Sequence, residues 1–357
     1  MSIELAAAPS FANHQTFHPR FGWIKKGFDA ALANPNVFNA PESPVTLGVG
    51  KNMVEAIRFW TLSVKVITRE PHPDSPRQSI YVPTKLGSAL FDDSVGLDPY
   101  SEDLSTLWIL HWHAVSARSN LPIWRLTFND FSAIDFSDKE LTAYVADEVA
   151  ATTWNQPKLS SIQKDVDCLL RMYSRRELRG RQTIDELIDS PFRELQLIQS
   201  SPGRGGRYRF VRGEKAGLPH EAITYCCLDY MSREANGSRT TSINRLATDP
   251  GSPGRLLKIS EDQIRAAIES TAKAVPSIRL ARPAGASQLA VDMEPEYAAL
   301  AVLLARHSAR RPDLLMLENL EVAGHRAMEP ALSGREVRRK LGAVANKTTA
   351  GKKGSAA

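Results

Sequence analysis

Three groups of carboxylates lie close together in this sequence: Asp92 and Asp93 with Asp98, Asp165 with Asp167, and Asp185 and Glu186 with Asp189. Acids at such spacing are what a divalent cation needs, and a cation beside a phosphate, helped by a Lys or His that moves a proton, is the usual apparatus for breaking a phosphodiester. None of the three has the Pro-Asp then Asp/Glu-x-Lys spacing of a restriction-type nuclease, and no His-Asn-His pattern occurs. Each group therefore also reads as a helix cap or a solvated face.

Other candidate chemistry is weaker. His111 and His113 stand two apart in a helical stretch, on nearly opposite faces, so one ion cannot take both. Gly48-Val49-Gly50-Lys51-Asn52 has the glycines and lysine of a phosphate-binding loop, but Val45 stands where the first Gly belongs and Asn52 where a Ser or Thr is needed. No nucleotide is expected. Of the three cysteines, Cys168 stands alone and Cys226 and Cys227 are adjacent, which gives neither a disulfide framework nor the Cys-x-x-Cys of a structural zinc site.

The basic residues carry more information. The formal net charge is only +5 over 357 residues, yet Arg and Lys gather at 171–181, at 204–212 and from 335 to the end, and clusters of this kind imply a polyanionic partner. Arg20, Lys25, Lys26, Lys51 and Arg58 fall on the charged sides of the first two expected helices and are assigned to DNA phosphates, with Asn52 near base edges. Arg204, Arg207 and Arg209 form an accessory contact, because Arg207 and Arg209 alternate with Tyr208 and Phe210 as on a strand packed on one side.

These side chains need elements to hold them. Phe21, Ile24, Phe28 and Leu32 recur at helical spacing, as do Met53, Ile57, Trp60, Val64 and Ile67. A Pro-rich excursion at 71–76 and a strand at 79–83 follow, then a helix that Thr84 caps. Helix, turn, helix, strand pair, helix is the order of a winged helix-turn-helix. The pattern returns later: a helix after Pro219, a short one at 242–246, one capped by Ser260 and Gln263, and strands at 277–281 and 288–291 around a Pro-Ala-Gly turn. Trp124 to Asp130 reads as a strand or a helix end, and Ser137 with Glu140 forms a capping-box pattern. The expected architecture is mainly α with small β wings, in several domains: a flexible arm (1–16), a winged-helix-like DNA-binding domain (17–100), a helical domain (101–200), a second winged-helix-like domain (201–325) and a basic disordered tail (326–357). The tail is expected to add only non-specific attraction. No stretch approaches the roughly 18 apolar residues of a membrane span, and the first residues lack the basic start of a signal peptide, so a cytoplasmic location with no membrane partner is expected.

The two opening helices also carry a resemblance. FHPRFGWIKKGF (residues 17–28) and LGVGKNMVEAIRFW (47–60) resemble the SspB-like family, the nicking component of bacterial single-strand DNA phosphorothioation and phage-defence systems. Shorter stretches at 218–223 and 252–259 support the likeness. The resemblance implies a DNA-binding nicking enzyme using Mg²⁺ or Mn²⁺, working with a cysteine desulfurase and with sulfur-transfer and ATPase components. It fixes no catalytic residue. Asp92 and Asp93 become the leading candidates because they follow the wing strand and helix of the unit that bears the motif. The alternative is a non-catalytic DNA-binding adaptor or regulator that recruits the sulfur-transfer enzymes.

Overall fold

The structure, a computed structural model, describes residues 2–116, 118–174, 190–201, 206–234, 237–307 and 322–354. It is mainly helical, with three small antiparallel sheets. No helix of the described residues is long and apolar enough to cross a membrane.

After a one-turn helix α1 (Ile3–Ala6), the first unit is built from α2 (Trp23–Ala33), α3 (Ser43–Leu47), α4 (Lys51–Ser63) and the hairpin β1 (Ile67–His72) and β2 (Ser75–Pro83). Helices α2 and α4 cross at Gly27, where a Cβ would lie 2.5 Å from Thr61 Cγ2; only Gly allows that approach. Ile24 and Phe28 face Ile57 and Trp60 inside the core, whereas Phe21, expected in the same stripe, precedes the helix and is exposed. Helix α4 stops short of the expected Ile67 because Lys65 takes a left-handed conformation (φ 61°), which turns the β-branched run Val66-Ile67 into the hairpin. Thr84 then caps α5 (Lys85–Phe91) by accepting from the Gly87 amide, as its position suggests.

Helix α6 (Leu104–Val115) is buried along nearly its whole length. Two units with a similar order of elements follow it, the later one carrying an extra one-turn helix. The middle one runs α7 (Pro122–Asn129), β3 (Asp135–Ser137), α8 (Asp138–Ala150), α9 (Leu159–Tyr173), β4 (Ile198–Ser200) and β5 (Arg207–Phe210), with strand order β3-β5-β4. The later one runs α10 (His220–Glu234), β6 (Thr240–Ser242), α11 (Ile243–Thr248), the one-turn α12 (Pro253–Leu256), α13 (Glu261–Thr271), β7 (Ile278–Ala281) and β8 (Gln288–Val291), in order β6-β8-β7. In both, the last strand lies between the other two. Helix α14 (Pro295–His307) packs on α10. Because β5 pairs with Asp135–Ser137 and Ile198–Ser200, a division of the chain at residue 200 would cut through a sheet.

Both chain ends differ from their expected looseness. The arm is folded in: the Ala8 amide donates to the Ser119 carbonyl at 2.9 Å, Trp60 Nε1 donates to the Phe17 carbonyl at 2.9 Å, and His14 is fully buried. At the other end the residues from Gly334 to Gly354 form a helix, α15, started by a Ser333 and Glu336 capping box and seated on β2 through Val337. A basic composition alone pointed to disorder, but a stripe of Val337 and Leu341 against Ile80 and Val82 supplies the apolar contact that composition does not reveal.

Candidate nucleic-acid interface

The opening turn of α4 presents Lys51 and Asn52 to solvent. Gly50 caps this end without a side-chain bond, so the first amides of the helix face outward and favour an anion there, with the Lys51 ammonium beside them. Two turns later Arg58 stacks on the Tyr81 ring (guanidinium carbon 5.7 Å from its centroid), and Tyr81 pairs across the hairpin with Arg69. Arg69 Nε donates to Ser79 Oγ at 2.6 Å on the same face. Lys51, Asn52, Arg58 and Arg69 thus belong to one helix and the hairpin beside it, and exposed Arg77 extends the hairpin's charge toward its tip.

The other assigned cations are engaged differently. Arg20 lies over Trp23 and Phe17, 5.0 and 5.4 Å from their ring centroids. Lys25 is held between Asp29 and Asp93, the latter at 2.7 Å, and its side chain is only 13% exposed. It makes intramolecular ion pairs that its helical pattern did not announce, because that pattern does not show that two carboxylates share its face. Burial works against the Lys25 charge, and the two aspartates outweigh it, raising its pKa. Lys26 donates to the Leu47 carbonyl at 3.0 Å, closing the end of α3. Arg207 pairs with Asp135 and lies 3.3 Å from Glu140, so it fastens β5 to β3 and α8. Arg209 is exposed and donates to Gln199 Oε1 at 3.3 Å. Arg204 lies outside the described residues, as do Asp185, Glu186 and Asp189.

The acidic candidates are also placed. Asp92 Oδ1 accepts the amides of Ser94 and Val95 at 2.9 and 3.1 Å, ending α5. Asp93 is exposed and faces Lys25. Buried Asp98 accepts from the Glu102 and Asp103 amides and from Thr106 Oγ1. Asp165 closes the arm instead: it accepts the Ala12 amide and stands 2.6 Å from His14 Nε2. Burial works against the His14 charge, and Cys168 and the Asp165 carboxylate overcome it, pushing the imidazole up to about 10. Among the described residues, no group of three or more His, Cys, Asp or Glu is set to hold a metal. A divalent cation asks for several converging oxygens, and Asp29, Asp92 and Asp93 come nearest. There an ammonium occupies the middle and one oxygen of Asp92 is taken by amides, so the donor set does not fit an ion as it stands.

His111 and His113 are structural, as their spacing indicates. Leu256 supplies a carbonyl, so His111 Nε2 donates to it (3.1 Å) and Nδ1 accepts from the Tyr173 hydroxyl (2.7 Å); burial pushes His111 down to about 4. His113 Nε2 donates to Tyr225, whose hydroxyl donates to the Val322 carbonyl. Beside it lies a site that no local pattern announced. Asp229, fully buried on α10, accepts Trp112 Nε1 at 2.7 Å and the Gly324 amide at 2.8 Å, and lies 2.8 Å from Arg233 Nε. Arg233 Nη1 and Lys65 Nζ approach Ser116 Oγ at 3.4 and 3.3 Å, joining the later unit to the first. Cys226 lies near this pair, and both Cys226 and Cys227 are buried, their thiols raised by burial.

Comparison with known proteins places this arrangement. Residues 11–307 match a family described as protein of unknown function DUF4007. The magnesium ion-bound crystal structure of SspB superposes with a TM-score of 0.83 at 34% identity, covering 96% of this chain and 99% of that one. A second SspB crystal structure gives 0.80 at 33% identity, covering 94% and 99%. No curated protein matches.

Proposed function

The chain belongs to the DUF4007 family and carries the SspB fold along nearly its whole length, and from that premise we propose that it is the DNA-binding, SspB-like component of a phosphorothioation-type defence system, acting in the cytoplasm with partners that deliver sulfur. The observation that carries the DNA reading is the joint exposure of Lys51 and Asn52 at the start of α4, with Arg58 of the same helix over the Tyr81 ring of the adjoining hairpin and Arg69 opposite Tyr81 in that hairpin's register. Helix α4 then acts as the helix of a winged helix-turn-helix that enters a groove, and β1 and β2 act as its wing. Lys51 and Arg58 hold phosphates while Asn52 reaches base edges. Arg209 adds an accessory contact.

We read the middle and later units as winged-helix-like too, from their order of elements, but their surfaces do not suit a polyanion as well. The corresponding helix of the middle unit, α9, is largely buried, and the arm closes over its Asp165. The corresponding helix of the later unit, α13, pairs its Arg265 with Asp262, and the neighbouring hairpin pairs Arg279 with Asp292 and Arg282 with Glu269. In the first unit, by contrast, exposed Lys51, Asn52 and Arg77 lie on one helix and the hairpin beside it, with Arg58 and Arg69 between them.

Nicking is the activity the family resemblance implies, and Mg²⁺ is the ion to test because an SspB has been solved with it. Asp92 and Asp93 remain the carboxylates to substitute, with the requirement that Asp93 exchange Lys25 for the ion. The engagement of both favours the second reading, an adaptor that grips DNA for the sulfur-transfer enzymes. Supercoiled plasmid incubated with the protein, with Asp92→Ala/Asp93→Ala and with chelator separates them. Relaxation lost in the variant and in chelator supports a metal-dependent nick at these aspartates. Relaxation that survives the substitutions rejects the site. Binding without relaxation under Mg²⁺ or Mn²⁺ supports the adaptor, and absence of binding rejects the DNA reading.

A further inference from the structure

The outer face of the hairpin is covered by the chain's last helix. The Ala331 amide donates to the Pro83 carbonyl at 2.9 Å and the Lys85 amide to the Glu329 carbonyl at 3.0 Å, while Lys85 Nζ lies 2.8 Å from Glu329 Oε2. From there α15 sets Val337, 6% exposed, against Ile80 and Val82, with Leu332 and Leu341 at the margins. Ile80 and Val82 alternate along β2 with Tyr81, which points the other way into the main core beneath Arg58. The hairpin is thus held between α4 on one face and α15 on the other.

The first turns of α15 leave charge outward. It carries seven Lys and Arg against a single acid, Glu336, and Glu336 accepts the Ser333 amide and hydroxyl at 2.8 and 2.7 Å to close its own helix start. Arg335, Arg338 and Arg339 are exposed. At about 1.5 Å per residue the helix is about 32 Å long, close to one turn of duplex DNA at about 34 Å.

We propose that α15 is a second DNA-backbone contact fixed to the wing, which carries the grip of α4 across the hairpin onto the next stretch of the same duplex. The inference rests on the DNA reading of the first unit and deepens it. Continuity with that unit's cations selects duplex DNA as the occupant. An acidic membrane is the poorer match, because the apolar stripe of the helix's first turns is already taken up by the hairpin. A disordered tail would attract phosphates without position; a docked helix holds them at a fixed distance from α4.

The test uses the full chain and labelled duplexes of about 12 and about 30 base pairs, the shorter covering little more than one turn. Arg335→Gln/Arg338→Gln/Arg339→Gln leaves the docking stripe intact. On the longer duplex it should lower the slope of log K against log salt by about 2.7, so that a fourfold rise in salt costs the wild type about 40-fold more affinity than the variant. The shorter duplex should show less than half that change. Val337→Asp keeps every cation but undocks the helix, and should lose the length-dependent part of the affinity. Circular dichroism checks that each variant is folded, and truncation after Ser333 replaces Val337→Asp if that variant is not. An unchanged slope in the triple variant, while Lys51→Gln/Arg58→Gln lowers it, overturns the clamp and leaves the DNA reading standing. Full affinity in Val337→Asp makes the helix loose charge and overturns it too. So does capture of phosphatidylserine vesicles with no change on DNA. No binding of any duplex by the wild type rejects the reading beneath it.

Discussion

Asp229 is the residue whose loss should be felt most widely. Asp229→Asn preserves shape but removes the carboxylate that stands 2.8 Å from Arg233 Nε, and turns an amide donor toward either the Trp112 indole or the Gly324 amide, both of which are donors themselves. The outcome is a buried guanidinium deprived of the Asp229 charge and at least one buried donor facing another. Breaking a buried pair from one side costs about 3 to 5 kcal/mol; with a urea m-value on the order of 3 kcal/mol per molar, the unfolding midpoint should fall by about 1 to 1.7 M. Adding Arg233→Met to Asp229→Asn should recover part of the loss, since the orphan charge is then gone, and the two costs should fail to add by about 0.5 to 3 kcal/mol. The pH dependence has a definite sign. Burial would by itself raise the Asp229 carboxyl, but Arg233 and the surrounding donors hold it below its ordinary value. Its contribution is therefore complete above about pH 4 and is lost as pH falls through the folded-state value, so wild-type and Asp229→Asn curves should converge in acid. Urea titration by fluorescence at several pH values measures all of this. A midpoint shift under about 0.3 M at neutral pH, or strict additivity with Arg233→Met, would refute the argument that this carboxylate organises the junction.

Three more outcomes follow from the same geometry. Lys25→Gln should leave the salt dependence of DNA binding unchanged, unlike Lys51→Gln, and should destabilise by up to about 1 kcal/mol because Asp29 and Asp93 then face each other; a fall in slope by about one unit would return Lys25 to the phosphate contacts. His14 titrates near 10 in the folded chain, so its contribution is present below about pH 6.5 and is lost as pH rises through 10; His14→Gln should flatten that decline in thermal melts and expose the arm to limited proteolysis, and an unchanged profile would count against the clasp. Lys258, which donates to the Phe128 carbonyl at 2.6 Å, is pushed by burial down to about 7, so wild-type stability should gain between pH 7 and about 10.5 from this group. Lys258→Met should lack that gain, and an identical pH profile would show that the ammonium stays charged in the fold.

Where local chemistry determines a boundary, the sequence was a good guide. Ser260 with Gln263 and Ser137 with Glu140 form the capping boxes their spacing announces, and the strands at 278–281 and 288–291 fall where alternation ended by Pro and Gly puts them. Lys51 and Asn52 are exposed at a helix start, as the amphipathic pattern requires. Strands β3 and β4 escaped notice because three residues are too few to show alternation. What stayed hidden at the chain ends and at Lys25 has another cause. A helical pattern tells which face a side chain occupies and nothing about who shares that face, so Asp93, sixty-eight positions from Lys25, left no trace in the reading of α2. The arm has no periodicity because its order comes from Asp165, Ser119 and Trp60, all distant in sequence.

That distance has a consequence during synthesis. Residues 3–18 leave the ribosome well before their partner, because the carboxylate that receives Ala12 and His14 is made 151 residues after His14. At about 5 to 20 residues per second, the arm waits roughly 8 to 30 seconds for α9 to emerge, with Phe11, Phe17 and His14 uncovered and no local fold of their own to shelter in. The first unit can close in the meantime, since α2, α4 and the hairpin are contiguous. The middle unit then has to gather a segment already long outside the tunnel. A bulky fusion at the amino terminus would burden that late capture, and an appendage at the carboxyl terminus, beyond α15, would leave it alone.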